Sequence, residues 1–406
     1  MSSLKYERRL LLMTYLLCAG LFINLALLKN PVDKTALLMG TISIVIIALA
    51  HFIVRKFFPD GDKFLLVFAS VLAVIGLAVI YRLDSKLAIK QLIWFVAGMT
   101  CYVLIVVLLP NLRSFAKYKY LYLTAIAIFM PMALLIGQAR NGSKNWVVIG
   151  GFSFQPSEIG KIFLVLYLAS ALANYEDKKN LKEDFKQLLE PALVVMGALG
   201  CMVLQRDLGS ALIFFGISVT MLYIATSKMK YVITCLGLFV VGAFFSYNLF
   251  SHVRKRVLIW KDVWKYANNE SYQIVQGLYA MSSGGILGSG LGQGYPGFIP
   301  FNYNDFIFAA ICEELGLVFG IGVMLVYFLL FYRGMRAALN TSSKFSQLNA
   351  VGFSAMIAMQ VLVIIGGIFA VIPLTGIALP LVSYGGTSML TMFFALGILQ
   401  KISEEG

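Results

Sequence analysis

Three carboxylates stand at the entry to one apolar run. The stretch FNYNDFIFAAICEELG, residues 301–316, carries Asp305, Glu313 and Glu314, and an apolar segment follows from Leu317 to Phe331. A carboxylate at or inside the edge of a lipid-embedded helix is costly unless it is paired or has a task. Asp305 admits two readings. It is an ordinary helix cap, shared with Asn304 ahead of the apolar run, or a general base for the hydroxyl of a substrate arriving from the outer leaflet. On a continuous helix Glu313 lies about 12 Å deeper, too far to share one bond with Asp305. Glu313 and Glu314 therefore read as structural groups, ionised or protonated, bonded to neighbouring helices.

Two further polar groupings interrupt apolar sequence. In FQPSEIGK, residues 154–161, Pro156 suits a first helical turn and Glu158 complements the helix dipole there. Lys161 falls three residues later on the same face, so the two form an ion pair that is structural or faces substrate. In QRDLG, Gln205, Arg206 and Asp207 leave almost no loop between two apolar runs, which predicts a tight polar hairpin whose charges satisfy each other and the helix ends. Trp146, Trp260 and Trp264 sit where interfacial belt residues belong. The two histidines lie far apart, and the five cysteines lack metal or disulfide spacing, so no transition-metal site built from protein ligands is expected.

The elements that must position these residues are membrane helices. The 406-residue chain is 60% hydrophobic, with a mean hydropathy of +0.85, well above the soluble norm. Apolar runs of spanning length give an all-α polytopic membrane protein with about 12 spans. They fall near 10–28, 35–54, 64–81, 91–109, 121–136, 158–173, 191–205, 208–225, 231–250, 306–332, 351–372 and 388–401. The basic start MSSLKYERRLLLMTYLL reads as a retained first helix. Lys and Arg bias places both termini in the cytoplasm and the loops 137–157, 251–305 and 373–387 outside. The loop 174–190 is then inside and reads as a solvated surface helix. In the long loop between the ninth and tenth spans, VRKRVLIWKDVWKYANN has the spacing of an amphipathic helix lying on the membrane. The glycine-rich SSGGILGSGLGQGYPGFIP that follows is no nucleotide loop and predicts tight turns in a re-entrant or membrane-hugging segment. The net charge of +14 fits positive-inside loops and anionic lipid, and no basic-aromatic module points to nucleic acid.

Four ordered motifs bear a resemblance. NGSKNWVVIGGFSFQPSEIGK (141–161), LQRDLGSA (204–211), NDFIFAAICEELG (304–316) and IPLTGIALPLVSYGGTS (372–388) resemble those of the SEDS family (shape, elongation, division and sporulation), the RodA/FtsW/SpoVE family. The resemblance implies a ten-helix core at residues 64–406, preceded by two extra N-terminal helices at 1–63. It implies a peptidoglycan glycosyltransferase that polymerises lipid II at the outer face of the bacterial cytoplasmic membrane, with a class B penicillin-binding protein as transpeptidase partner. Asp305 would be the catalytic base, removing the proton of the acceptor sugar's 4-hydroxyl as that oxygen displaces undecaprenyl pyrophosphate. Lys144, Trp146, Gln155, Ser157, Glu158, Lys161, Arg206, Ser383 and Tyr384 would bind substrate. Asp207, Glu313 and Glu314 would be structural. The departing diphosphate needs positive charge, from Lys144, Lys161, Arg206 or a divalent cation such as Mg²⁺ or Mn²⁺; no organic cofactor is implied. The chain departs from the family pattern at Tyr303-Asn304, where His-Thr is usual, and at Asn145, where Arg often precedes the tryptophan. The competing readings are a flippase for lipid-linked precursor and a non-catalytic scaffold for a cell-wall synthase.

Overall fold

The computed structural model describes residues 2–140, 143–150, 152–178 and 181–405. Asn141, Gly142 and Gly151 of the first motif, and Lys179 of the 174–190 loop, lie outside the described residues. The helices are α1 (Ser2–Leu27), α2 (Lys34–Phe57), α3 (Phe64–Leu83), α4 (Ser85–Leu108), α5 (Lys119–Ile136), α6 (Pro156–Leu172), α7 (Leu181–Leu204) and α8 (Leu208–Thr226). After them come α9 (Met229–Leu249), α10 (Ser251–Lys261), α11 (Tyr272–Gly284), α12 (Ile307–Leu315), α13 (Leu317–Asn340), α14 (Lys344–Ile368) and α15 (Gly386–Glu404). Among the described residues ten helices are long and apolar enough to cross a bilayer, against the twelve spans expected. The two expected spans outside that set are present as helices. The first, α6, is shorter at 17 residues, and α15 is less apolar. The protein is a multi-pass membrane protein.

Burial separates the helices by role. Almost every residue of α3 from Leu65 to Tyr81 is buried, as are most of α6, α14 and α15. A helix apolar on all sides belongs in the middle of a bundle or in lipid. By contrast α9 buries no residue at all, so its apolar surface faces lipid. The pair α1 and α2 packs on α3 and α4, and Glu7 on α1 bonds His51 (2.7 Å) and Arg55 (3.2 Å) on α2.

Three expectations are corrected. The 137–157 segment, expected as a loop, carries a small three-stranded antiparallel sheet, β1 (Gln138–Arg140), β2 (Ser143–Ile149) and β3 (Phe152–Phe154), in an otherwise helical fold. The register of β2 on β3 places Val147 against Phe154. The 174–190 segment is not a separate solvated helix: α7 runs through Pro191 from Leu181, because Asp184 is fully buried and bonded to Lys228 (2.6 Å), Tyr175 (2.5 Å) and the Tyr231 hydroxyl. The 306–332 run is not one helix. Gly316, at φ +88°, breaks it into α12 and α13.

The glycine-rich loop explains that break. It crosses the gap between α12 and α13 and satisfies both helix ends, whose backbone groups lack partners within their own helices. Ser289 and Gly290 N–H groups donate to the Glu313 and Glu314 carbonyls (both 2.9 Å), and Leu317 and Val318 N–H groups donate to Gly285 and Ile286 carbonyls (3.0 and 3.2 Å). Gly288 has φ +84° and lies so close that a Cβ would stand 2.4 Å from the Glu314 carbonyl oxygen. Only glycine permits that approach.

Candidate functional site

Asp305 sits in the turn before α12, and it does not cap that helix. The cap position is Phe306, without a side-chain bond. Among the described residues no group donates a hydrogen bond to its carboxylate. It lines a cavity of about 200 Å³ together with Arg256, Trp260, Glu270, Gln273 and Gly376. Burial pushes its pKa up to about 7, and the Arg256 guanidinium pulls in the opposite direction. A carboxyl poised near neutrality and left without partners can accept a proton from a substrate hydroxyl.

The loop before α15 holds Asp305 in place. The Ser383 hydroxyl donates to the Asn304 carbonyl (2.6 Å) and accepts from the Leu379 N–H (2.8 Å). The Tyr384 N–H donates to the Tyr303 carbonyl (2.8 Å), and the two rings meet edge to face at 6.1 Å. Gln91 on α4 ties the same loop from behind, donating to the Ser383 carbonyl and accepting from the Gly385 N–H (both 3.1 Å). Ser383 and Tyr384 thus bond the backbone that presents Asp305.

A second cluster is centred on Asp207. Its carboxylate accepts from Asn145 (3.0 Å), Gln155 (3.0 Å) and the Ser210 hydroxyl (2.9 Å) and N–H (3.0 Å), the last capping α8. The expected hairpin is present: Arg206 occupies the left-handed region at φ +63°. Backbone bonds join it to the sheet, Lys144 N–H to the Gln205 carbonyl (3.0 Å) and Ser143 hydroxyl to the Arg206 carbonyl (3.0 Å). The Lys144 ammonium turns back to the Leu134 carbonyl (2.6 Å). Trp146 lies on β2, paired with Gln138. Arg206 is exposed, and its charge reaches His252, as does that of Arg256; burial and these two cations lower the His252 pKa.

Glu158 and Lys161 form a third cluster, away from Asp305. Lys161 is 1% exposed and bonds Glu158 and Gln360, both at 2.8 Å. Gln360 passes the connection to the Ala378 carbonyl (2.9 Å), within the loop that walls the Asp305 cavity. Ser157 is buried beside Glu158, and its hydroxyl has no partner among the described residues. Glu313 and Glu314 point the other way, into the glycine-rich loop. Glu314 bonds Arg82 of α3 (3.1 Å) and the Gly292 N–H (3.0 Å), Glu313 accepts from the Tyr295 N–H (2.9 Å), and Arg82 donates to the Gly292 and Gly294 carbonyls.

Arg256 is the site residue that sequence reasoning missed. It lies in the basic run 254–256, which reads as a charge-orientation signal. The available clue was spacing: Arg256 and Trp260 are four apart on the amphipathic α10 and share one face. In the structure both clip α10 to the loop after α14. Arg256 donates to the Leu374 and Thr375 carbonyls (3.2 and 3.3 Å), and the Trp260 indole donates to the Ala370 carbonyl (2.8 Å). Among the described residues no three acidic, imidazole or thiol groups converge on a metal position, so the donor set does not fit a resident metal cage.

Fold and site together define a helical membrane protein with a carboxylate in a loop-lined cavity at a helix end. A family model described as cell cycle protein, for FtsW, RodA and SpoVE, matches residues 62–406, and the chain belongs to that family. It is 34% identical over 399 residues to peptidoglycan glycosyltransferase RodA of Mycobacterium tuberculosis, covering 92% of this chain and 84% of the relative. It is 33% identical over 360 residues to stage V sporulation protein E of Bacillus subtilis, covering 84% and 97%. Among solved structures it resembles a chain of a peptidoglycan synthase complex studied for its structural coordination of polymerization and crosslinking, with a TM-score of 0.73 and 26% identity over 84% of this chain and 97% of that one. It also resembles the rod shape determining protein RodA of Thermus thermophilus, with a TM-score of 0.63 and 25% identity over 84% and 96%.

Proposed function

We propose that this chain is a peptidoglycan glycosyltransferase that polymerises lipid II into glycan strands, with Asp305 as general base. The observation that carries the assignment of the base is its environment: a carboxylate without hydrogen-bond donors, its pKa raised to about 7, facing a cavity. The base takes the proton of the acceptor 4-hydroxyl as that oxygen forms a bond to the donor's anomeric carbon. The bond from that carbon to undecaprenyl pyrophosphate breaks, and the diphosphate leaves with the electron pair. Arg256, beside Asp305, offsets the charge of the ionised base before the proton moves. Arg206, exposed on its hairpin, is the cation this reading assigns to the diphosphate.

The Lys and Arg bias puts the cavity on the outer face of a bacterial cytoplasmic membrane, with both termini inside. A class B penicillin-binding protein is the expected transpeptidase partner, a reading supported by the likeness to a chain of a synthase complex. Magnesium or manganese would arrive with the substrate's diphosphate, since Mg²⁺ is commonly held by substrate phosphates and few protein groups.

The test is polymerisation of labelled lipid II by purified protein, with and without the class B partner. Wild type should give glycan strands and Asp305→Asn none, at equal folding. Normal polymerisation by Asp305→Asn would remove the base from Asp305. Vesicle translocation of lipid II without polymerisation would replace the reading with a flippase.

A further inference from the structure

The Asp305 cavity has a wall built from three elements distant in sequence: α10, the start of α11, and the 370–376 loop. Its polar side chains are already fixed. The Trp260 indole is held at the Ala370 carbonyl, Arg256 at the Leu374 and Thr375 carbonyls, and the Gln273 amide nitrogen at the Pro300 carbonyl (3.1 Å). Each keeps a face or an atom for a ligand: the indole face, the remaining guanidinium nitrogens, and the Gln273 carboxamide oxygen. Ile274, Ile372 and Leu374 supply apolar lining between them.

The backbone around this cavity is held in costly conformations. Phe301 and Ala370, both lining residues, lie in the left-handed region at φ +53°, and Gly376 at φ +74°. Each non-glycine residue held there costs of order 1–3 kcal/mol, and such strain gathers at ligand-binding positions. At Gly376 a Cβ would stand 3.4 Å from the Asp305 carboxylate oxygen, so a side chain there would fill the approach to the base.

Size and charge restrict the ligand. A volume of about 200 Å³ is below the range that encloses a drug-sized molecule, and suits one ring. The lining carries two carboxylates, Asp305 and Glu270, against one guanidinium. Glu270 is itself paired with Lys255 (3.2 Å), so the lining is close to neutral; it offers a diphosphate no excess positive charge and favours a neutral, polyhydroxylated ring. Such a ring has one face of C–H bonds, whose positive edges match the negative face of an indole. Its hydroxyls match Gln273, Arg256 and Asp305.

The geometry points to this cavity as a saccharide subsite that seats a single N-acetylhexosamine ring of the acceptor, with Trp260 against its C–H face and Gln273 reading a hydroxyl or the acetamido group. The assignment rests on the glycosyltransferase reading and specifies where the acceptor sugar binds. With the ring against Trp260, one hydroxyl is directed at Asp305, so Trp260 and Gln273 set which oxygen meets the base.

The experiment has two readouts on the full-length protein with its partner. In steady-state polymerisation of labelled lipid II, Trp260→Ala should raise KM about tenfold with kcat changed less than threefold. Trp260→Phe keeps an aromatic face and should restore most of the affinity, and Gln273→Leu should raise KM several-fold. Binding of fluorescent lipid II to the Asp305→Asn protein provides the second readout. A soluble N-acetylglucosaminyl-N-acetylmuramic disaccharide should displace it from that protein, and Trp260→Ala in the same background should weaken binding about tenfold. Displacement by inorganic pyrophosphate and not by the disaccharide overturns the sugar assignment. So does an unchanged KM for both Trp260→Ala and Gln273→Leu while Asp305→Asn is inactive. A fully active Asp305→Asn instead overturns the underlying reading, so the two failures are distinguishable.

Discussion

Asp305 and the Glu313–Glu314 pair are less than ten residues apart in sequence, yet their surroundings are opposite. Glu314 spends both oxygens on Arg82 and the Gly292 N–H, while Glu313 spends one on the Tyr295 N–H and buries the other without a partner among the described residues. Asp305 receives no hydrogen bond from any described residue and faces open volume. The three carboxylates share a charge and nearly share a position, so neither explains the difference. The partners do: a carboxylate that accepts hydrogen bonds from the chain holds it together, and one that receives none and faces a cavity is available for a proton. Glu158 falls on the occupied side, because Lys161 and Thr391 hold it.

The contrast can be broken by exchanging the demands on each group. The largest effect is expected at Asp305, where Asn should lower lipid II polymerisation by about 10²–10⁴-fold, the usual contribution of a general base; the gel assay that follows glycan strands measures it. At Lys161, replacement by Met leaves Glu158 buried and unpaired, which costs about 3–5 kcal/mol. A lower melting temperature in detergent should reveal this, and the double change Glu158→Gln/Lys161→Met should recover part of the loss. A smaller effect, about 1.5–3 kcal/mol in all, is expected at Glu314→Ala, which removes the bonds to Arg82 and Gly292 but leaves Arg82 part-exposed and bonded to the Gly292 and Gly294 carbonyls. Thermal melting should fall while some activity survives; full loss of activity at unchanged stability would place Glu314 with Asp305.

A last test sharpens the comparison through pH. The Asp305 carboxyl has its pKa raised from 3.8 to about 7, so the folded protein holds this proton more tightly than the unfolded chain. The sign follows from proton linkage: stability carries no Asp305 penalty below about pH 4 and declines as pH rises from there through about 7. Asp305→Asn escapes the decline and should melt above wild type at pH 8, with the difference vanishing near pH 4. Activity runs the other way, with a polymerisation rate that rises to a plateau as pH passes about 7. A mutant that melts below wild type at pH 8 would mean that the ionised carboxylate is stabilised by the fold.

Much of this contrast was legible in the sequence. The cost of a carboxylate at an apolar edge singled out Asp305, and the three-residue spacing of Glu158 and Lys161 announced their ion pair. Hydropathy located nearly every helix. What it could not show was the break at Gly316, because apolar composition runs on across it and the cause lies in a loop folded over the gap. The sheet at 138–154 was hidden for a different reason: its two outer strands have three residues each, too few for a strand pattern to show. Asp184 looked solvated among neighbouring charges, and only Tyr175, Lys228 and Tyr231 from elsewhere in the chain account for its burial. Arg256 was masked by Arg254 and Lys255, since a basic run suggests orientation in the membrane before it suggests a site.

The helix that follows Asp305 has a bearing on how the protein is made. At nine residues, α12 is about 14 Å long, less than half of a bilayer's hydrocarbon core. The insertion machinery can recognise α13 by its length and apolarity, but it has no such signal for α12. That short helix is seated through Arg82, 232 residues upstream of Glu314, and the turn before it through Ser383, 79 residues downstream of Asn304. A nascent chain that has only just exposed Asp305 therefore carries the residue without its cavity. Catalytic competence arrives late in biogenesis, after the surrounding helices have assembled, so an incompletely inserted copy stays inert in the membrane.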